Sequence, residues 1–211
     1  MTGGTLSLFL LAALIIAAIP GPGILYVAAR TLAGGRQAGI ASTFGTALGG
    51  LVHVVAGGIG VSALILASAQ LFTLLKLIGA LYLVWLGIRT FRDAGRHHSP
   101  EPPAATGGQR AFREGALVEA LNPKTAAFFL AFIPQFVDPT AGYPALQFIA
   151  LGLTSVTLNT LADGIVVMCA ATTGATLARR PHLMRRLKQG SGLFMAGLGV
   201  SLALARRPGT S

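Results

Sequence analysis

Of the ionisable side chains in or near otherwise apolar runs, His53, Glu119, Lys124 and Asp163 could carry chemistry. Charged groups within a membrane are costly and mark ion, proton or substrate pathways. Asp163, in Leu158-Asn159-Thr160-Leu161-Ala162-Asp163-Gly164, is the deepest acid. It either binds a substrate amine or a proton, or acts as a polar clamp with Asn159 or Lys124; the first reading is preferred. Histidine as a residue type suits proton coupling, which makes His53 a candidate, although an isolated His is more often a hydrogen-bonded packing residue. Glu119, three residues before Asn122, is a further proton-coupling candidate or an interfacial residue at a helix entry. Lys124 either meets an anionic group such as a substrate carboxylate or snorkels to the interface.

These groups sit beside two expected helix breaks. Pro20, Gly21, Pro22 and Gly23 interrupt one apolar run, and Asn122-Pro123 interrupts another about one hundred residues later. Proline has no N–H to give and its ring clashes with the preceding turn. Freed backbone groups in lipid cost several kcal/mol each unless protein or water satisfies them. Such breaks therefore face other helices or a wet cavity, and transporters bind cargo at such places. Amides exposed at the two breaks, sharpened by helix dipoles, would suit a carboxylate together with Lys124. The candidate substrate-binding set is Pro20, Gly21, Pro22, Gly23, Asn122, Pro123, Lys124, Asn159 and Asp163. The candidate proton-coupling set is Asp163, His53 and Glu119.

The elements that hold these residues are membrane spans. The chain has 211 residues, 53% hydrophobic and 10% charged, with a mean hydropathy of +0.71. Soluble proteins carry roughly 25% charged residues. A net charge of +10 would suggest nucleic acid if it formed one soluble face, but the basic residues lie in short loops between apolar runs. No nucleic-acid partner is expected. Cys169 is the single cysteine, which excludes an intrachain disulfide and reads as a small packing residue. The first apolar run lacks a basic leader and a small-residue cleavage site, so it is expected to stay in the mature protein.

About 20 apolar residues cross a bilayer. Six spans are expected: Leu6 to Ala29, Ala38 to Ala67, Leu71 to Thr90, Gly115 to Phe136, Pro144 to Leu177 and Gly190 to Ala205. The fold class is all-α and polytopic. Arg30 and Arg36 follow the first span, Arg89 to Arg113 the third, and Arg179 to Lys188 the fifth. The positive-inside rule makes those loops cytoplasmic and both termini periplasmic. The polar, Pro-rich stretch 93–112 is expected as a linker between two three-helix repeats, 1–92 and 113–211. An odd number of spans per half inverts the second half, and each half has its break in its first span.

Other motifs have plainer readings. Gly45 and Gly49 form a GxxxG pattern, a helix-packing face within the chain or across a dimer. His97-His98 read as solvated residues of the linker. No zinc spacing, P-loop, nucleotide fingerprint or hydrolase elbow occurs, so neither a cofactor nor an enzyme is expected.

The chain resembles the LysE/RhtB family of bacterial amino-acid exporters. The resemblance rests on Pro20-Gly21-Pro22, Arg30, Gly34 to Gly39, the Gly45/Gly49/His53 stretch, Leu75 to Gly87, Phe112-Arg113-Glu114-Gly115, Leu121-Asn122-Pro123-Lys124 and Phe128 to Phe136. It implies a six-span exporter of the inner membrane, dimeric, driven by the proton-motive force without nucleotide. The family often has Asp or Asn where Gly23 stands, and Asp where Gly50 stands. If those groups bind a cation, the cargo here is less cationic, and Asp163 and Glu119 carry more of the duty. The resulting expectation is proton antiport of amino acids or small derivatives. Export of an inorganic or heavy-metal cation is the alternative, and a membrane enzyme or assembly factor is a third reading.

Overall fold

The computed structural model describes residues 3–67, 69–94, 107–178 and 181–204. Over those residues the chain is a helical polytopic membrane protein without strands. The helices are α1 (Gly3–Ala18), α2 (Pro22–Ala67), α3 (Ala69–Asp93), α4 (Gly108–Ala120), α5 (Pro123–Ala127), α6 (Pro144–Ala178) and α7 (Pro181–Leu204). α5 runs on through a wide π turn, Phe128–Phe132, and a tight 3-10 turn, Ile133–Phe136. His97-His98 and most of the expected linker lie outside the described residues. α4 starts at Gly108, inside the stretch read as linker.

Both expected breaks are present. α1 ends at Ala18 and α2 begins at Pro22, where a missing N–H costs nothing because the first helical amide has no intrahelical partner. α4 ends at Ala120, and α5 restarts at Pro123 on the Asn122 cap. A third interruption is sharper than the loop expected around Arg30 and Arg36. Gly35 alone leaves the helix, at φ 74° and ψ −175°, and divides α2 into arms 22–34 and 36–67. That left-handed backbone suits a residue with no Cβ.

Pro22–Gly60 and Pro144–Ala170 are each long and apolar enough to cross a membrane. Residues 108–136 make a third span if α4 and its continuation, bent by 42°, are taken together. Gly4–Ala18 and Gly192–Ser201 are shorter apolar helices.

The outer faces are apolar. Ile59, Leu81, Leu161 and Ile165 are well exposed, as a lipid-facing surface requires. The interior is aromatic, with Phe9, Phe128, Phe129, Phe132, Phe136 and Phe148 in one cluster. α2 packs against α4 and α6, and α3 against α7. The GxxxG face works within the chain: a Cβ at Gly45 would strike the Phe112 carbonyl, and one at Gly49 would come within 2.8 Å of the Ala120 nitrogen. Cys169 departs from its expected packing role. It is exposed on α6, because its register turns it away from the face carrying buried Asp163 and Val167.

Candidate functional site

The second break closes on its own residues. Asn122 Oδ1 accepts from the Lys124 amide at 3.0 Å, capping α5. That fixes the amide orientation, so Asn122 Nδ2 donates to Glu119 Oε2 at 2.9 Å. Thr125 Oγ1 donates to Glu119 Oε1 at 2.6 Å. Glu119 is 1% exposed, and each of its oxygens meets a donor, the arrangement an ionised carboxylate needs. His53 Nε2 donates to the Glu119 carbonyl at 3.0 Å, and its ring lies 5.6 Å from that of Phe129. His53 is thus held against the second break by a backbone carbonyl and an aromatic ring.

The first break closes from a distance. Lys124 is buried, and its Nζ donates to the Ile16 and Ile19 carbonyls, both at 3.1 Å. In an unbroken helix the N–H four residues on would serve Ile16, but that residue is Pro20. The Ile19 amide, shared with Ile15, reaches the Ile16 carbonyl at only 3.3 Å, and Lys124 supplies the stronger donor that the proline withholds. It does not snorkel, and its ammonium faces carbonyls of the break rather than lying beside free amides. The Lys124 stem passes over Gly21, where a Cβ would lie 3.0 Å from Lys124 Cε.

Asp163 is paired with Thr46, not with Asn159 or Lys124. Thr46 Oγ1 lies 2.8 Å from Asp163 Oδ2 and 2.8 Å from the Thr43 carbonyl. A hydroxyl has one proton to donate. With Asp163 ionised, Thr46 shares that proton between the two acceptors; with Asp163 protonated, each contact is a full hydrogen bond, Asp163 donating to Thr46 and Thr46 to Thr43.

Two cavities meet at Lys124. One, of about 30 Å³, is lined by Thr46, Gly50, Glu119, Lys124, Thr125, Ser155, Asn159 and apolar neighbours. That is room for a water or two. The other, of about 240 Å³, is lined by Pro20, Gly21, Pro22, Pro123 and Lys124, with Arg89 and Asp93 of α3. Of the expected binding residues, Lys124 lines both cavities, Asn159 the smaller, and Pro20, Gly21, Pro22 and Pro123 the larger; Gly23, Asn122 and Asp163 line neither. Asp163 reaches the small cavity through Thr46. Gly23 lies against Glu119, and a Cβ there would collide with Oε2. Gly50 faces Val156, with 3.0 Å from its would-be Cβ to Cγ2.

Sequence reasoning missed Thr46 and Thr125, neutral residues that turn out to be the partners of the two buried acids. Thr46 lies within the GxxxG motif, and Thr125 directly follows Lys124. A polar cluster between α2 and α4 was missed too. Arg30 pairs with Glu114, Tyr26 donates to the Ala111 carbonyl at 3.1 Å, and Arg110 pairs with Glu114 at 2.7 Å. The i,i+4 spacings Tyr26/Arg30 and Arg110/Glu114 were the available signal.

Residues 14–206 match the family model described as LysE type translocator. The chain is 34% identical over 198 residues to an uncharacterized membrane protein of Vibrio cholerae, covering 94% of this chain and 96% of that one. It is 31% identical to the homoserine/homoserine lactone efflux protein of Salmonella typhimurium, over 94% of this chain and 95% of the relative. It is 27% identical to the leucine efflux protein of Klebsiella pneumoniae, over 92% of each. No solved structure matches it. With two proline breaks joined through Lys124 and a family match over almost its whole length, this chain belongs to the LysE type translocators.

Proposed function

We propose that the protein exports amino acids or small amino-acid derivatives across the bacterial inner membrane in exchange for protons. The relatives' names support the cargo class: homoserine, homoserine lactone and leucine share a primary ammonium, whereas the lactone has no free carboxylate. The observation that carries proton exchange is the buried Asp163–Thr46–Thr43 chain, which accepts an ionised Asp163 with one shared hydroxyl proton and gains a second full hydrogen bond when Asp163 takes up a proton. In this reading Asp163 alternates between its protonated, Thr46-bonded form and an ionised form, with Glu119 a fixed counter-charge and His53 its neighbour. Lys124 and the two breaks handle the cargo. The small cavity is too tight for an amino acid, so this conformation is the closed one.

The two three-helix halves would rock about the breaks as inverted repeats with six spans, the stretch 93–112 joining them. The pairing of α3 with α7 and of α2 with α6 supports this, because each pair occupies the same rank in its half. Both termini then face the periplasm, and the exporter works as a homodimer, as the resemblance implies.

Counterflow of leucine and homoserine in proteoliposomes across an imposed pH gradient tests the proposal. Wild-type protein is expected to exchange cargo faster with the gradient, and Asp163→Asn to lose that acceleration. An unaltered gradient response in Asp163→Asn would remove Asp163 from the coupling role.

A further inference from the structure

The first break contains an ammonium site, and the chain's own lysine fills it. Ile16 and Ile19 present two carbonyl oxygens at the C-terminal end of α1, where the helix dipole is negative. Lys124 Nζ meets both at 3.1 Å. The cradle is built by sequence: Pro20 denies Ile16 its usual donor, and Gly21 leaves room for the lysine stem, which a Cβ would approach to 3.0–3.2 Å. The same side chain lines both the cavity beside Glu119 and Asn159 and the one that reaches Arg89 and Asp93.

We propose that the Ile16 and Ile19 carbonyls are the binding site for the cargo's primary ammonium, and that Lys124 is a tethered competitor occupying it in the closed state. An arriving ammonium replaces Nζ with the same charge and the same donors, so the exchange leaves no carbonyl bare. The displaced lysine then opens the passage between the cavities. It can also meet a carboxylate on a zwitterionic cargo, which gives Lys124 its expected role one step later. The exporter reading supplies the cargo, but the cradle itself is testable without transport.

The test is chemical rescue in Lys124→Met, whose side chain keeps the bulk and removes the ammonium. In detergent, n-butylammonium is expected to raise its unfolding midpoint saturably. Tetramethylammonium, which has no N–H, and n-butanol, which has no charge, are expected to leave it unmoved. No response to n-butylammonium, or an equal response to tetramethylammonium, would overturn the proposal. If Lys124→Met does not fold, wild-type protein decides. It has three lysines, Lys76, Lys124 and Lys188, and ¹⁵Nζ labelling reports each. The Lys124 resonance is expected to shift with n-butylammonium and not with tetramethylammonium; an unmoved resonance counts against the cradle. Rescue without counterflow would refute the exporter reading alone, and counterflow without rescue the cradle alone.

Discussion

The two breaks look alike in sequence and are closed in opposite ways. At the second, Asn122, Thr125 and Glu119 satisfy one another within a few residues of the interruption. At the first, no side chain of the break itself serves the freed carbonyls; Lys124 does, from the second half of the chain and 108 and 105 residues away in sequence. A locally closed break is a rigid fixture, because it keeps its hydrogen bonds whatever the halves do. A break closed by a partner opens when the partner leaves. The difference makes 121–125 the anchor of the site and 16–21 its movable part.

Substitutions can test that contrast, beginning with the anchor. Asn122→Ala removes the α5 cap and leaves a Glu119 oxygen unpaired, and should destabilise the protein by roughly 2–4 kcal/mol. Thermal unfolding in detergent measures it. A loss no larger than that of a surface substitution would mean that the second break is not a rigid fixture.

The neighbouring glycines sharpen the comparison. A Cβ at Gly23 runs into the clamped Glu119 carboxylate, whereas a Cβ at Gly21 meets the flexible end of Lys124. Gly23→Ala should cost about 1–3 kcal/mol by overpacking, and Gly21→Ala clearly less. Equal unfolding shifts for the two would erase the distinction between rigid and movable closure.

The smallest effect on stability is expected at Pro20. Pro20→Ala returns an N–H to the Ile16 carbonyl and should change stability by on the order of 1 kcal/mol, the worth of one hydrogen bond. With its own donor restored, Ile16 needs Lys124 less. The Lys124 ¹⁵Nζ resonance should move even though stability hardly does. A resonance identical to wild type would show that the lysine is held by something other than the proline break.

Much of this was legible in the sequence because it follows from local chemistry. Pro20, Pro22 and Pro123 must break helices wherever they are buried. Gly45 and Gly49 announce a close helix contact, found here against α4. Gly35 was harder to read. A loop was expected, but one left-handed glycine makes the turn, and nothing in the alternation of residues distinguishes a hinge of one residue from a loop of several. Cys169 was misread because its facing depends on helix register about Asp163, which an almost wholly apolar stretch does not display.

The residues of the site were named from sequence, but their partners were not. Asp163 was set beside Asn159, one helical turn away, or the Lys124 cation, whereas its partner Thr46 lies 117 residues away. By itself, the sequence determined where the backbone had to lose its hydrogen bonds, since that depends on which residues lack an N–H. Only the tertiary structure decided what replaces those bonds, since that depends on which side chain the packing of α4 and α5 against α2 delivers to the gap.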